Sequence, residues 1–329
     1  MRRLIVLTTS AVLAVAVPAA AQDPTQTQPQ PQPQATPQPA AGQMTVVVDK
    51  VGKQRTVLAG QRWRVRGDVA PYVAGQQVVV RFYRQGKKLA AKRAAVKPGA
   101  AGTVGHFKVR FATQQFGNVT VRVTKVASPA QIEIKAPAQQ VLVLPNHESP
   151  GTQGAGVRLM QRALRALGYV PGRSGTYDAR TARAVLAFRK VSGLVRTTIA
   201  DRTFFRRLAN GGGHFKIRYP SHGKHVEANL SLQVIALIDH GKVQRIYPTS
   251  SGKPSTPTVL GHFRFYSKTP GFNAKSMYFS NYFIRGYAIH GYFDVPAYNA
   301  SHGCLRIPNP DAVSVYNWVK IGDRIDVYA

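Results

Sequence analysis

The sequence predicts a multidomain chain with a β-sandwich module over residues 44–144, a small three-helix bundle over 152–211 and a mainly β domain over 214–329. Three observations carry this prediction. Apolar residues alternate in short runs up to Leu144, take up helical spacing after Thr152, and return to strand-length runs after His214. Gly and Pro positions bound the strand runs, which is how turns punctuate β structure. At 329 residues the chain is long enough for two or three domains with their own cores.

The elements follow in order. Arg2 and Arg3 precede an apolar run from Leu4 to Val17, and Pro18-Ala19-Ala20-Ala21 supplies a small-residue site. This reads as a signal peptide over 1–21, cleaved after Ala21. The run falls short of the roughly 18 residues a membrane span needs, which leaves an uncleaved anchor as the weaker alternative. No cysteine stands at the cleavage site, so a lipoprotein anchor is excluded. Residues 22–43 are Pro, Gln, Thr and Ala with almost no charge, the composition of a disordered, extended linker. The expected location is extracytoplasmic, in the cell wall or periplasm.

In the β module, Val78, Val80 and Phe82 form one alternating set, Phe107, Val109 and Phe111 a second, and Val119, Val121 and Val123 a third. Gly75, Gly105, Gly117 and Pro129 bound them, and about seven strands of this spacing resemble an immunoglobulin-like sandwich. Nothing in this stretch has catalytic spacing, so a spacer or binding module is expected.

After the linker from Pro145 to Thr152, Val157, Met160, Leu164 and Leu167 fall on one helical face, and Gly168 can end that helix. Asp178 is placed to cap a second helix carrying Ala184, Val185 and Phe188, and Asp201 a third carrying Phe204, Phe205 and Leu208. Met160-Gln161, Leu167-Gly168-Tyr169, Gly172, Gly175, Thr181, Ala184-Val185 with Phe188, and Gly193-Leu194 together resemble the peptidoglycan-binding domain found beside wall enzymes. Most of these residues serve core and turns, and Arg189 stands where that family often has Gln.

In the last domain, the runs Leu230 to Asp239 and Lys242 to Thr249 flank Gly241 as a hairpin. Further strands are expected at Gly261 to Ser267, Tyr287 to His290 and Arg324 to Tyr328. Pro310 opens a helix running through Val319, with Asn309 as its N-cap.

Charge and cysteine count narrow the function. Lys and Arg number 45 against 13 Asp and Glu, a net +32. Such a surface fits an anionic partner or reflects a basic surface habit. Export removes nucleic acid from the partners and leaves anionic wall polymers or a membrane face. Exported proteins usually hold cysteines in pairs, yet Cys304 is alone. Taken by itself it is an inert thiol, half of an intermolecular disulfide, or a nucleophile.

Its neighbours favour the last. Ala288-Ile289-His290-Gly291 is followed, ten residues on from Gly291, by Ser301-His302-Gly303-Cys304-Leu305-Arg306. Imidazole or positive charge beside a thiol favours the reactive thiolate, and glycines let backbone N–H groups approach a developing oxyanion. This arrangement resembles the signature of the L,D-transpeptidase catalytic domain, the YkuD-like fold. Ser251-Gly252-Lys253-Pro254, Thr256-Pro257-Thr258 and Gly261-His262-Phe263 resemble that family's upstream segments, and Met277-Tyr278 with Tyr282-Phe283 resemble its groove-lining strand.

The resemblance implies Cys304 as nucleophile, His290 as general base oriented by the Gly291 carbonyl, and His302 in support. It further implies an oxyanion site at the N–H groups of Gly303 and Cys304, with Ser301 and Arg306 shaping and polarising the pocket. Met277, Tyr278, Tyr282 and Tyr292 would line the substrate groove. The implied reaction acylates Cys304 with a tetrapeptide stem, releases D-Ala, and transfers the acyl group to a neighbouring stem amine as a 3→3 cross-link. No cofactor is implied. Peptidoglycan stems and glycan are the implied partners, and carbapenems the implied covalent inhibitors. Tyr292 replaces the Thr that many members carry after His-Gly, and Phe293 to Tyr298 fill a short spacer, which leaves the acceptor open.

Competing readings stand beside this one. A wall carboxypeptidase or endopeptidase would use the same thiol, and an inactive scaffold would keep only wall binding. His214, His222, His225 and His240 lie close in sequence but lack the tight spacing and carboxylate of a zinc site, so no metal is expected. Tyr278, Tyr282, Tyr287 and Tyr292 read as half-buried strand aromatics before they read as a sugar-stacking strip.

Overall fold

The structure is a computed structural model describing residues 38–329 together with Ala11, Leu13 and Ala14. The expected signal segment, those three residues aside, and residues 22–37 of the expected linker lie outside the described residues. Among the described residues no helix is long and apolar enough to cross a membrane.

Ten strands make the first region: β1 (Gln43–Asp49), β2 (Thr56–Leu58), β3 (Trp63–Ala70), β4 (Gln77–Arg84), β5 (Lys87–Ala95), β6 (Lys97–Pro98), β7 (Gly105–Phe111), β8 (Gly117–Lys125), β9 (Ile134–Lys135) and β10 (Gln139–Leu144). They form a sheet in the order β1-β3-β7-β6 and a second in the order β2-β10-β8-β4-β5, with β9 on β8. The period-2 patterning explains why two sheets share one core. Val78, Val80 and Phe82, Phe107, Val109 and Phe111, and Val119, Val121 and Val123 are all buried in it. Trp63 packs edge-on against Phe82 and Phe111 at its centre. Ordered pairing begins before residue 43, because Ala40 bridges to Gln131.

Three helices follow: α1 (Ala155–Ala166), α2 (Ala179–Val191) and α3 (Arg202–Ala209). The side chains of Asp178 and Asp201 accept from the Thr181 and Phe204 N–H groups, at 2.7 and 2.8 Å, and fix where α2 and α3 start. Gly168, at φ +89°, takes the left-handed conformation that turns the chain after α1. The helical core is not self-contained. Val157, Met160, Leu164, Phe188 and Phe204 share one cluster with Leu58 and Leu144 of the β region and with Val234, Ala236, Ile238 and Ile246 of the last domain. The bundle is therefore cemented on both sides by burial worth roughly 1.5–3 kcal/mol per large side chain.

The last domain comprises β11 (His225–Asn229), β12 (Val234–Asp239), β13 (Lys242–Pro248), β14 (Gly261–Arg264), β15 (Ser267–Phe272), β16 (Tyr278–Ile284), β17 (Tyr287–Tyr292), β18 (Leu305–Pro308), α4 (Asn309–Trp318) and β19 (Arg324–Tyr328). One sheet runs β13-β12-β11-β19-β14 and the other β15-β16-β17-β18. Their facing side chains, among them Val226, Leu237, Phe265, Phe283, Ile289, Leu305 and Ile325, enclose a separate core. The expected hairpin at Gly241 is present, its first strand beginning at Val234 rather than Leu230.

One expectation is corrected. Asn309 is the first residue of α4 and not its cap; Pro308 occupies that position. Pro310 fits the first turn, where its missing N–H costs nothing. Asn309 Oδ1 is buried without a hydrogen-bond partner among the described residues. It lies where a Cβ on Gly291 would come within 2.6 Å of it, so that glycine lets α4 close onto β17.

Candidate active site

Parallel pairing of β17 and β18 builds the site. Ile289 lies opposite Leu305 and His290 opposite Arg306, which sets the turn carrying Ser301 to Cys304 at the mouth of the same two strands. The turn needs glycine: Gly303 sits at φ +114°, and a Cβ there would overlap the Tyr287 ring. Ser301, 1% exposed, closes the turn from within. Its hydroxyl donates to the Cys304 carbonyl at 2.5 Å and accepts from the Gly303 N–H at 3.1 Å. In this resting geometry the Gly303 N–H is therefore already engaged.

Behind the turn lies the Ser-Gly-Lys segment noted in the sequence. Ala300 and Ser301 donate their N–H groups to the Ser251 carbonyl, each at 2.9 Å, and Lys253 N–H donates to the Ser301 carbonyl at 2.8 Å. Ser250 exchanges backbone hydrogen bonds with Arg306, both at 3.0 Å. Gln233, nearly buried, clamps Ser251 twice, through its N–H at 2.9 Å and its hydroxyl at 2.6 Å. Gln233, Ser250 and the carbonyl of Ser251 had no signal in the sequence, because they act through position and not through reactive chemistry.

His290 is buried at 3% exposure. Its Nδ1 lies 2.8 Å from the Gly291 carbonyl oxygen. A carbonyl only accepts, so Nδ1 carries the proton and Nε2 keeps its lone pair. Burial, with a contribution from Arg306, pulls the imidazole down to about 4, so it is neutral at physiological pH. Cys304 is half-buried, and its thiol donates to the Gly286 carbonyl at 3.6 Å. Burial pushes that thiol up, against smaller opposing effects from the Ala288 backbone, Arg306 and Lys275. No hydrogen bond joins the thiol to His290 in this state. The resting pair is a neutral thiol and a neutral imidazole.

Arg306 stacks its guanidinium 4.1 Å from the centre of the Tyr292 ring, and Tyr292 stands edge-on to His290 at 5.8 Å. Tyr292 thus packs between the arginine and His290. Tyr278 pairs across the sheet with Gly291, and its ring lies 4.5 Å from Phe272. Tyr282 is half-buried and its hydroxyl accepts from Asn273 at 3.0 Å. Met277 is buried, with its N–H donating to Asn273 Oδ1 at 3.0 Å. Met277 and Tyr282 therefore share one organising side chain, Asn273. His302 is not drawn in. It occupies the exposed position between buried Ser301 and Gly303, and forms no hydrogen bond or ion pair among the described residues.

The site thus places Cys304 in the turn leading into β18 and His290 on the parallel strand β17, within a β domain joined to a helical bundle. The family model of the L,D-transpeptidase catalytic domain matches residues 223–327, and that of the putative peptidoglycan-binding domain matches 153–208. An L,D-transpeptidase of Xylanimonas cellulosilytica of known crystal structure is 31% identical over 56% of this chain and 98% of its own, with a TM-score of 0.53. An L,D-transpeptidase from Stackebrandtia nassauensis is 20% identical over 56% of this chain and 96% of its own, at a TM-score of 0.36. One from Mycobacterium tuberculosis is 23% identical over 32% of this chain and 58% of its own, at 0.30. No curated protein is a significant match. The chain belongs to the L,D-transpeptidase family of peptidoglycan-modifying enzymes, with a YkuD catalytic domain beside a peptidoglycan-binding domain.

Proposed function

We propose that this chain is an exported cysteine L,D-transpeptidase that forms 3→3 cross-links. In this reading, Cys304 Sγ attacks the carbonyl of the third residue of a donor tetrapeptide while His290 Nε2 takes the thiol proton. Arg306 and the free backbone N–H groups of the turn stabilise the oxyanion, the Gly303 N–H joining only if it leaves Ser301. Collapse of the tetrahedral intermediate expels D-Ala, whose nitrogen takes the proton back from His290, and leaves a thioester. A side-chain amine of a neighbouring stem then attacks the thioester, His290 accepts its proton, and the thiol is restored as the new amide forms.

The observation that carries this reading is the fixed tautomer of His290, whose Nδ1–H is held by Gly291 on the strand paired with the one Cys304 leads into. Neutral at physiological pH, the imidazole is a base from the start of the cycle. The helical bundle would hold the enzyme on glycan. The two-sheet region, which we infer to be an immunoglobulin-like spacer, together with the linker, would give it reach. Carbapenems, as mimics of the acyl donor, would acylate Cys304. The +32 charge would add attraction to anionic wall polymers.

Incubation of the purified chain with tetrapeptide stems, followed by muropeptide analysis, tests the reaction. New 3→3 dimers with release of D-Ala are expected, and Cys304→Ala must abolish them. Loss of D-Ala without dimers would replace the transpeptidase with a carboxypeptidase. Absence of an imipenem adduct by mass spectrometry, on folded protein, would leave a scaffold.

A further inference from the structure

On the far side of the catalytic domain, away from Cys304, three segments distant in sequence converge on one carboxylate. Asp326, in β19, is 1% exposed. Its Oδ1 lies 2.6 Å from His262 Nδ1, on edge strand β14, and its Oδ2 lies 3.0 Å from His222 Nδ1, on the segment entering the domain. Strand alternation explains the location. Ile325 and Val327 point into the core between the two sheets, so Asp326 faces the opposite side.

We propose that His222, His262 and Asp326 form a binding site for a divalent transition-metal ion of the zinc class. Two imidazole nitrogens and one carboxylate are the donor set such ions take, with a water completing the shell. The spacing fits. Bonds of about 2.0–2.1 Å at tetrahedral angles set ligand atoms about 3.3 Å apart, and the donor atoms here all lie within 4.8 Å of one another. Small outward shifts of the two rings therefore admit an ion.

The surroundings hold the imidazoles ready. The Tyr219 ring stacks on His222 at 5.0 Å and meets His262 edge-on at 5.0 Å. Glu227 is no competitor, because it accepts from the Arg218 and Tyr219 N–H groups and from the Tyr328 hydroxyl. His225 is likewise taken, between the Gly223 carbonyl and Glu227. The outer side is open: the His262 side chain is 56% exposed, which gives an ion its entry and its water. Binding displaces the Nδ1 protons, either to solvent or to Nε2, so each lone pair turns to the metal.

The sequence expectation of no metal weighed His222 together with His214, His225 and His240. The structure pairs His222 with His262 and Asp326, both too far along the chain for any spacing rule. A bound ion would clamp the segment leaving the helical bundle to β14, the edge strand of the five-stranded sheet of the last domain. The role is structural, and separate from the chemistry at Cys304.

The test is equilibrium dialysis of the full chain against zinc chloride, with metal analysis and thermal melting. The expected result is one zinc per chain in the wild type and in Cys304→Ser, with a rise in melting temperature on zinc addition. In His262→Ala, whose exposed side chain leaves the core intact, both binding and the temperature rise should be lost. Asp326→Asn gives a second reading. Cobalt should give d–d absorption without a thiolate charge-transfer band. No saturable binding would leave a hydrogen-bonded triad and overturn the site. Binding that persists in His262→Ala, or disappears in Cys304→Ser, would place the metal elsewhere and overturn it equally.

Discussion

Lys190, from helix α2 of the bundle, reaches into the catalytic domain and donates from Nζ to the carbonyl oxygens of Gln233 at 3.0 Å and Thr249 at 2.9 Å. Both acceptors lead to the active site. The Gln233 side chain clamps Ser251, whose carbonyl holds the N–H groups of Ala300 and Ser301. Thr249 donates its hydroxyl to the Arg306 carbonyl at 2.8 Å. Helix α2 is thus two or three hydrogen bonds from the Cys304 turn.

Burial lowers Lys190 to about 7. Its unfolded value is 10.5, so between pH 7 and 10.5 the unfolded chain binds more protons, and stability rises with pH across that window. Lys190→Met removes this slope, at most about 1.4 kcal/mol per pH unit. Gln233 keeps a second donor in the Thr249 N–H, but the Thr249 carbonyl loses its lysine, at a cost of about 1–3 kcal/mol. Denaturation of both proteins from pH 6 to 10 should show curves that diverge only above 7. Parallel curves would show that the lysine is charged throughout.

Arg183 of α2 grips Asp311 of α4 with two hydrogen bonds, at 2.7 and 3.2 Å, and Asp311 is only 3% exposed. Removing the arginine leaves a buried carboxylate uncompensated. Arg183→Ala should cost about 3 kcal/mol, the usual penalty for breaking such a pair. Arg183→Ala with Asp311→Ala should recover part of it. Full additivity of the two losses in chemical denaturation would mean that the pair is not coupled.

What the sequence revealed depended on how local each feature is. Caps at Asp178 and Asp201 were legible because a cap and its N–H lie three residues apart. The alternating valines announced the β region for the same reason. Cys304, His290, Ser301 and Arg306 were legible as a family signature, although spacing alone could not rank His290 above His302. In the structure His290 is buried and bonded to the Gly291 carbonyl, while His302 is exposed. Lys190 was not legible, since a lysine on a helix reads as solvent-facing until the neighbouring domain covers it. Nor was His222 with His262 and Asp326, which the sheet order brings together. Asn309 failed as a cap because Pro308 already held the extended backbone that a cap requires.

Ser301 is the side chain that shapes the Cys304 turn, through its bonds to the Cys304 carbonyl and the Gly303 N–H. Ser301→Ala should leave both groups without that partner and slow imipenem acylation by about 10- to 100-fold, roughly 1.4–2.7 kcal/mol in the barrier. Gly303→Ala should be worse, because φ +114° and the Tyr287 ring both exclude a Cβ. Acylation rates followed by mass spectrometry, with circular dichroism to confirm folding, check both. A Ser301→Ala rate equal to wild type would mean that the turn is held by its backbone bonds to Ser251 and Lys253.

The protonation of the Cys304–His290 pair gives the remaining prediction. Burial lowers His290 to about 4 and raises the Cys304 thiol, so neither group charges the other at rest. For His290 the unfolded value is 6.5, so the unfolded chain binds more protons between pH 4 and 6.5, and stability falls as pH drops through that window. His290→Gln should lack that loss. Reactivity has a matching signature. A preformed thiolate–imidazolium pair would let iodoacetamide alkylate Cys304 at a rate that levels off near neutral pH. A neutral pair instead gives a rate that keeps climbing beyond the ordinary thiol range. Acylation by a carbapenem should stay fast down to about pH 5, because His290 remains a free base there and takes the thiol proton only as the sulfur attacks. A plateau in alkylation at neutral pH would assign the proton to His290 before substrate arrives, and would move the activating step from the transition state to the resting enzyme.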